Sequence, residues 1–112
     1  MMARQRLGLL GGTFDPPHLG HLAAASEVRV ALGLDRVLLM VANDPWQKSG
    51  ARRVTPAADR LAMAQAACEG VDGVEASALE IERGGPTYTV DTLKDLASPD
   101  VDLFLIVGVD AA

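Results

Sequence analysis

A chain of 112 residues is long enough for one domain or part of one and too short for two independent cores. With 49% apolar and 22% charged residues it packs a core, and its formal charge of -5, with no basic run longer than Arg52-Arg53, excludes the electrostatic footprint of a nucleic-acid binder. No apolar stretch reaches membrane-spanning length and no secretory leader pattern opens the chain, so no membrane partner and a cytoplasmic location are expected; the single cysteine, Cys68, excludes an internal disulfide and a cysteine-based zinc or redox site.

Leu7 to Leu10 is an apolar run that stops at Gly11-Gly12, which predicts a buried strand entering a tight turn. After Pro16-Pro17, Leu22, Ala25, Val28 and Leu32 recur at helical spacing, so a helix is predicted over 18–32 with Gly33 as its left-handed cap. Arg36 to Val41 is continuously apolar after its first residue, as in a parallel strand covered on both faces, and completes a βαβ unit. Residues 42–54 are polar, carry Pro and Gly and lack periodicity, so they form a long loop of the kind that often carries function. A second helix is predicted to about Glu69, with Thr55 as N-cap, Pro56 at its first position, Asp59 in its first turn and Leu61, Ala64 and Cys68 as its buried stripe.

Val74 to Ile81 reads as a weaker strand, at an edge or bulged, because its apolar positions change phase once. Gly84-Gly85-Pro86 forces a turn, Thr89 can cap, and Val90, Leu93, Leu96 and Ala97 give a short helix. Leu103 to Val107 is a final apolar strand, followed by Gly108-Val109-Asp110. The order β-α-β-α-β-α-β predicts an α/β fold with a doubly wound parallel sheet, whose ligand lies beyond the carboxyl ends of the strands where the strand order reverses. A sheet order of 3-2-1-4 would make neighbours of the 11–15 and 108–110 loops.

Chemistry concentrates at the first of these loops. Gly11-Gly12 removes side chains where an anion could approach the backbone, and the amides of Gly12, Thr13 and Phe14 can point into the concavity. His18 and His21, three apart on one face at the positive end of the helix dipole, can donate to phosphate oxygens, while Gly20 would let the ligand sit close to the helix. Other readings stay open: two glycines after a strand form an ordinary turn, and the histidines could cap the helix or form half of a zinc site with Asp15 as the nearest further ligand. Neither a G-x-G-x-x-G nor a G-x-x-x-x-G-K-[ST] phosphate loop is present.

GGTFDPPHLGH, from Gly11 to His21, resembles the HxGH signature of the nucleotidyltransferase superfamily, and the chain is similar to its bacterial nicotinate-mononucleotide adenylyltransferases. That resemblance implies a Rossmann-like fold and, with ATP and Mg2+, adenylyl transfer to nicotinate mononucleotide, giving deamido-NAD and pyrophosphate on the route to NAD. It implies that His18 and His21 are catalytic and that Gly11, Gly12, Thr13, Phe14, Gly108 and Asp110 hold ATP and its phosphates. EIERGGPTYTVDTL, from Glu80 to Leu93, is similar to the family's mononucleotide segment, which implies that Tyr88 and Thr89 contact the mononucleotide, with Lys48 on the long loop near its phosphate and Trp46 against a ring. No metal site built from side chains is implied.

The alternatives are a related HxGH transferase for phosphopantetheine or a cytidylyl substrate, or a non-catalytic nucleotide-binding fragment. The family continues with another strand, helices and a Ser/Thr-rich motif with Arg, so residues 1–112 are expected to be a single domain truncated at its C-terminus. An exposed apolar edge on the last strand, self-association or instability, and little activity are expected of such a piece; a domain completed to roughly 150 to 200 residues would be active. A homo-oligomer is compatible with these features.

Overall fold

The apolar runs Leu7 to Leu10 and Val37 to Val41 need cover on both faces, and the chain provides it by placing them at the centre of one parallel sheet. The computed structural model describes residues 4–43, 55–84 and 89–106. Strands β1 (Gln5–Gly12), β2 (Arg36–Val41), β3 (Val74–Ser77) and β4 (Val101–Ile106) lie in the order β3-β2-β1-β4, every pair parallel. Helices α1 (Leu19–Leu32), α2 (Ala57–Cys68), α3 (Leu79–Arg83) and α4 (Thr89–Leu96) join them. Among the described residues no helix is long and apolar enough to cross a membrane.

Side-chain alternation divides the core in two. Val37, Leu39, Val41 and Val74 on one face pack with Leu22, Ala25 and Val28 of α1 and Leu61, Ala64 and Cys68 of α2. On the other face Leu7, Leu9 and Met40 meet Leu79, Leu93 and Leu96 from α3 and α4. The sheet is thus doubly wound, as the element order predicts. Burial pushes the Cys68 thiol above its ordinary pKa, with nearby Glu75 adding to the effect, as befits an inert core residue.

Both ends of α1 are fixed. Gly33 adopts the left-handed conformation (φ 64°) and its N–H closes the last turn, as expected of a C-cap. Arg6 on β1 donates to the Leu32 and Gly33 carbonyls at 2.8 and 3.2 Å while its guanidinium lies 4.7 Å above the Phe104 ring of β4.

Four expectations are corrected. The glycine pair does not make the turn: β1 continues through Gly12, which pairs with Val41 of β2, and the chain reverses only at Phe14, whose φ is 53°. Pro56, not Thr55, is the N-cap of α2, because its carbonyl already accepts from Asp59 and Arg60. The phase change in Val74 to Ile81 marks the end of β3 rather than a bulge: the Ser77 hydroxyl accepts the Leu79 N–H and starts α3. Finally, β4 begins at Val101 rather than Leu103, and none of its residues is fully buried, Leu105 being 48% exposed. Val107 lies outside the described residues, and α4 starts at Thr89, where the expected cap depends on residues that are also outside them.

Gly8 lets β1 pass close to Leu34 of the α1–β2 connection. A Cβ there would stand 2.8 Å from Leu34 Cδ1, 3.1 Å from Val37 Cγ2 and 3.2 Å from Ile106 Cδ1. Gly8→Ala should therefore lower the unfolding free energy by about 1–2 kcal/mol in urea titrations, and Leu34→Val in the same chain should recover part of it. Equal midpoints for Gly8→Ala and the parent would show that the neighbours yield freely.

Candidate functional site

The site forms where β1 and β2 end and α1 begins. Phe14 occupies left-handed backbone that costs a side-chain-bearing residue about 1–3 kcal/mol, and it is held there by its ring. That ring is 4% exposed, lies so close to Gly12 that a Cβ would meet it at 3.3 Å, and meets the His21 imidazole edge to face at 4.9 Å. Phe14 can therefore offer a ligand its amide while its side chain serves the core. Gly11 is exposed with open space where a Cβ would stand, and Thr13 is also exposed. Asp15 accepts the Thr55 N–H at 2.9 Å, tying the loop after β1 to the start of α2.

His18 and His21 form an unusual reciprocal cap on α1. His18 is the N-cap, and its Nδ1 accepts the Gly20 N–H at 3.1 Å; His21 Nδ1 accepts the His18 N–H at 3.0 Å. The two rings stack with centroids 3.8 Å apart and planes 26° from parallel. Because both Nδ1 atoms accept from the backbone, Nε2 is the ring position each imidazole has left to offer a ligand, at the positive end of a 14-residue helix. Capping and phosphate donation, alternatives in the sequence, are thus compatible uses of opposite ring edges.

Gly20 serves the first histidine. A Cβ there would lie 2.9 Å from His18 Cε1 and 3.0 Å from its Nδ1, so the room expected for a ligand is taken by the His18 ring itself. Burial pushes the His21 pKa below its ordinary value, and repulsion from His18 lowers it further.

Arg60, which the sequence reading passed over, lies beneath this loop and is 0% exposed. Its Nε donates to the Thr55 carbonyl at 2.6 Å, and its Nη1 donates to the carbonyls of Thr13 at 3.0 Å and Ala42 at 2.7 Å. One signal was available: Arg60 falls at helical spacing on the same face as Ala57, Ala64 and Cys68. Glu80 was also missed. It is 6% exposed and accepts the Thr92 hydroxyl at 2.7 Å, while Arg83 donates to Thr92 at 2.9 Å and pairs with Asp95 at 2.8 Å, locking α3 against α4.

Gly11, Gly12, Thr13, Phe14, His18 and His21 therefore come together. The pairing of Leu10 with Ile106 sets the end of β4 beside them, at the point where the strand order reverses. Gly108, Asp110, Trp46, Lys48 and Tyr88 lie outside the described residues, and of Thr89 only the backbone, the first residue of α4, is described. Among the described residues no three His, Cys, Asp or Glu side chains converge to hold a metal ion.

The family described as cytidylyltransferase-like matches residues 9–112. A probable nicotinate-nucleotide adenylyltransferase of Corynebacterium kroppenstedtii is 54% identical over 108 residues, which are 95% of this chain and 51% of that protein. One of Streptomyces coelicolor is 52% identical over 104 residues, 91% of this chain and 55% of the relative. The chain thus spans about half the length of the curated relatives it matches. Its fold is that of a Plasmodium falciparum nicotinic acid mononucleotide adenylyltransferase solved in complex with NaAD, with a TM-score of 0.71 at 18% identity, covering 95% of this chain and 53% of that one.

The depressed His21 pKa has a consequence for stability. Below the ordinary value of 6.5 the unfolded chain takes up a proton at this residue more readily than the folded one, so stability rises with pH in that range. The His21 contribution should be complete above about pH 6.5 and decline as the pH falls through 6.5 towards the lower folded value. Urea unfolding between about pH 5 and 8 should show this slope in the parent and a flatter one in His21→Asn, whose amide oxygen preserves a capping acceptor that does not titrate. The same slope in both proteins would assign the effect to another group.

Proposed function

This chain belongs to the cytidylyltransferase-like family, and from that membership we infer that it supplies the phosphate-binding part of an adenylyltransferase that joins ATP to nicotinate mononucleotide. The observation that carries the proposal is the stacked His18–His21 pair, which leaves two Nε2 positions for a ligand at the start of α1 beside the amide of Phe14. In the proposed reaction a phosphate oxygen of nicotinate mononucleotide attacks the α-phosphorus of ATP; the new P–O bond forms as the bond to the departing pyrophosphate breaks. Charge grows on the pyrophosphate oxygens, and donors fixed before the reaction stabilise it without reorganising.

Gly11, Gly12 and Thr13 would let the phosphates approach the backbone, with Gly108 and Asp110 on the ATP side. Lys48, Tyr88 and Thr89 would face the mononucleotide. Mg2+ would enter with ATP and would supply charge neutralisation on its phosphates. The curated relatives named as nicotinate-nucleotide adenylyltransferases at 54% and 52% identity favour this acceptor over phosphopantetheine or a cytidylyl substrate.

Pyrophosphate release with ATP and a panel of acceptors tests the proposal, with a full-length relative as positive control. Nicotinate mononucleotide should be used in preference to nicotinamide mononucleotide and phosphopantetheine; preference for either of the latter would reassign the acceptor. ATP binding without turnover in a form extended to the length of the relatives would favour a non-catalytic nucleotide-binding role. Replacing His18 or His21 with Ala should reduce kcat by roughly two orders of magnitude, about 3 kcal/mol, with a much smaller change in acceptor KM. The Asn variants separate the two uses of each ring, since they keep a capping acceptor and lose the imidazole Nε2–H. Normal kcat in them would leave the histidines as caps only.

A further inference from the structure

We infer that Arg60 is a positioning residue for the loop after β1, holding the peptide unit between Thr13 and Phe14 so that the Phe14 N–H faces the crevice; this rests on taking that crevice as an ATP site. Arg60 is 0% exposed and so acts through the backbone it binds, not by touching a ligand. Its Nη1 donates to the Thr13 carbonyl at 3.0 Å. In a trans peptide the C=O and the following N–H point in opposite directions, so drawing the Thr13 oxygen down to the guanidinium turns the Phe14 amide up and away from it. That amide donates to nothing among the described residues, which leaves it available to an anion.

The backbone shows why the orientation needs holding. Phe14 has φ 53°, and a flip of the Thr13–Phe14 peptide would carry it out of the left-handed region, relieving strain. The same flip would put the Thr13 oxygen in the crevice, where it would repel phosphate. Arg60 opposes it with a charge-assisted bond to that oxygen. The same Nη1 binds the Ala42 carbonyl at the end of β2, and Nε binds the Thr55 carbonyl at the start of α2. Three segments that frame the crevice are thereby fixed to one planar group.

The test compares the parent with Arg60→Met, which keeps length and apolar volume but has no donor, and Arg60→Lys, which keeps a charge able to reach one carbonyl. Each is titrated with Mg2+-ATP while amide resonances are followed by NMR, and folding is monitored by circular dichroism. In Arg60→Met the Leu9 and Leu39 amides should keep their positions, the Thr13, Phe14 and Asp15 amides should shift, and the Kd for ATP should rise at least about tenfold; Arg60→Lys should recover part of that loss. Unchanged ATP affinity in folded Arg60→Met overturns the inference, as does a loss of binding that merely follows the unfolded fraction. Failure of both variants to fold makes Arg60 a folding residue and overturns it too. If the parent itself does not bind ATP, the ATP assignment fails first and this inference fails with it, an outcome distinct from a parent that binds and a mutant that binds equally well.

Discussion

A guanidinium shut off from water is tolerated only if its donors are met, and Arg60 meets that condition with carbonyls that can converge on it only in the finished fold. Thr13 follows β1, Ala42 follows β2, and Thr55 precedes α2, so desolvating this one side chain requires the central strands and the second helix to dock together. The arrangement also uses acceptors at strand ends, where the sheet ladder no longer satisfies them. A polar cost placed in the core thus becomes a constraint on register at the end of the sheet where the crevice lies. The apolar contacts around it carry no such directionality.

Legibility in the sequence followed the reach of each interaction. Elements set by local pattern were readable: α1 with its Gly33 cap, the buried β2, the edge position of β3, and the parallel order that brings β1 beside β4. Errors of one to four residues at element ends fell where a single hydrogen bond decides. Whether Pro56 or Thr55 caps α2 depends on which carbonyl the first helical amides choose, and propensity does not resolve that. The end of β3 depends on the Ser77 hydroxyl, which looked like an interruption in an alternating pattern.

In the candidate site, residue types and spacing were legible and their division of labour was not. The motif brings His18 and His21 together, but only the three-dimensional arrangement shows both Nδ1 atoms engaged with backbone and Gly20 making room for a ring. Phe14 was readable as part of the loop, whereas the burial of its side chain depends on His21 and Gly12, whose positions in space the sequence does not state. Arg60 and Glu80 escaped because charged residues on short helices ordinarily face water. Their partners lie as far as 47 residues away along the chain for Arg60 and 12 for Glu80.

The anchoring of α1 at its far end has a mechanical meaning. A helix of 14 residues is about 21 Å long, so it behaves as a rigid arm with the imidazole pair at its tip and its pivot at Gly33. A swing of about 5° about that pivot would carry the tip by about 2 Å, more than the displacement of roughly 1 Å that can cost a reaction a factor of a hundred. The Arg6 guanidinium, clasping the last carbonyls of α1 and stacked on Phe104, grips the arm where a small torque is most amplified. The position of the imidazole pair is therefore set partly at the opposite end of the sheet, by a side chain about one helix length away.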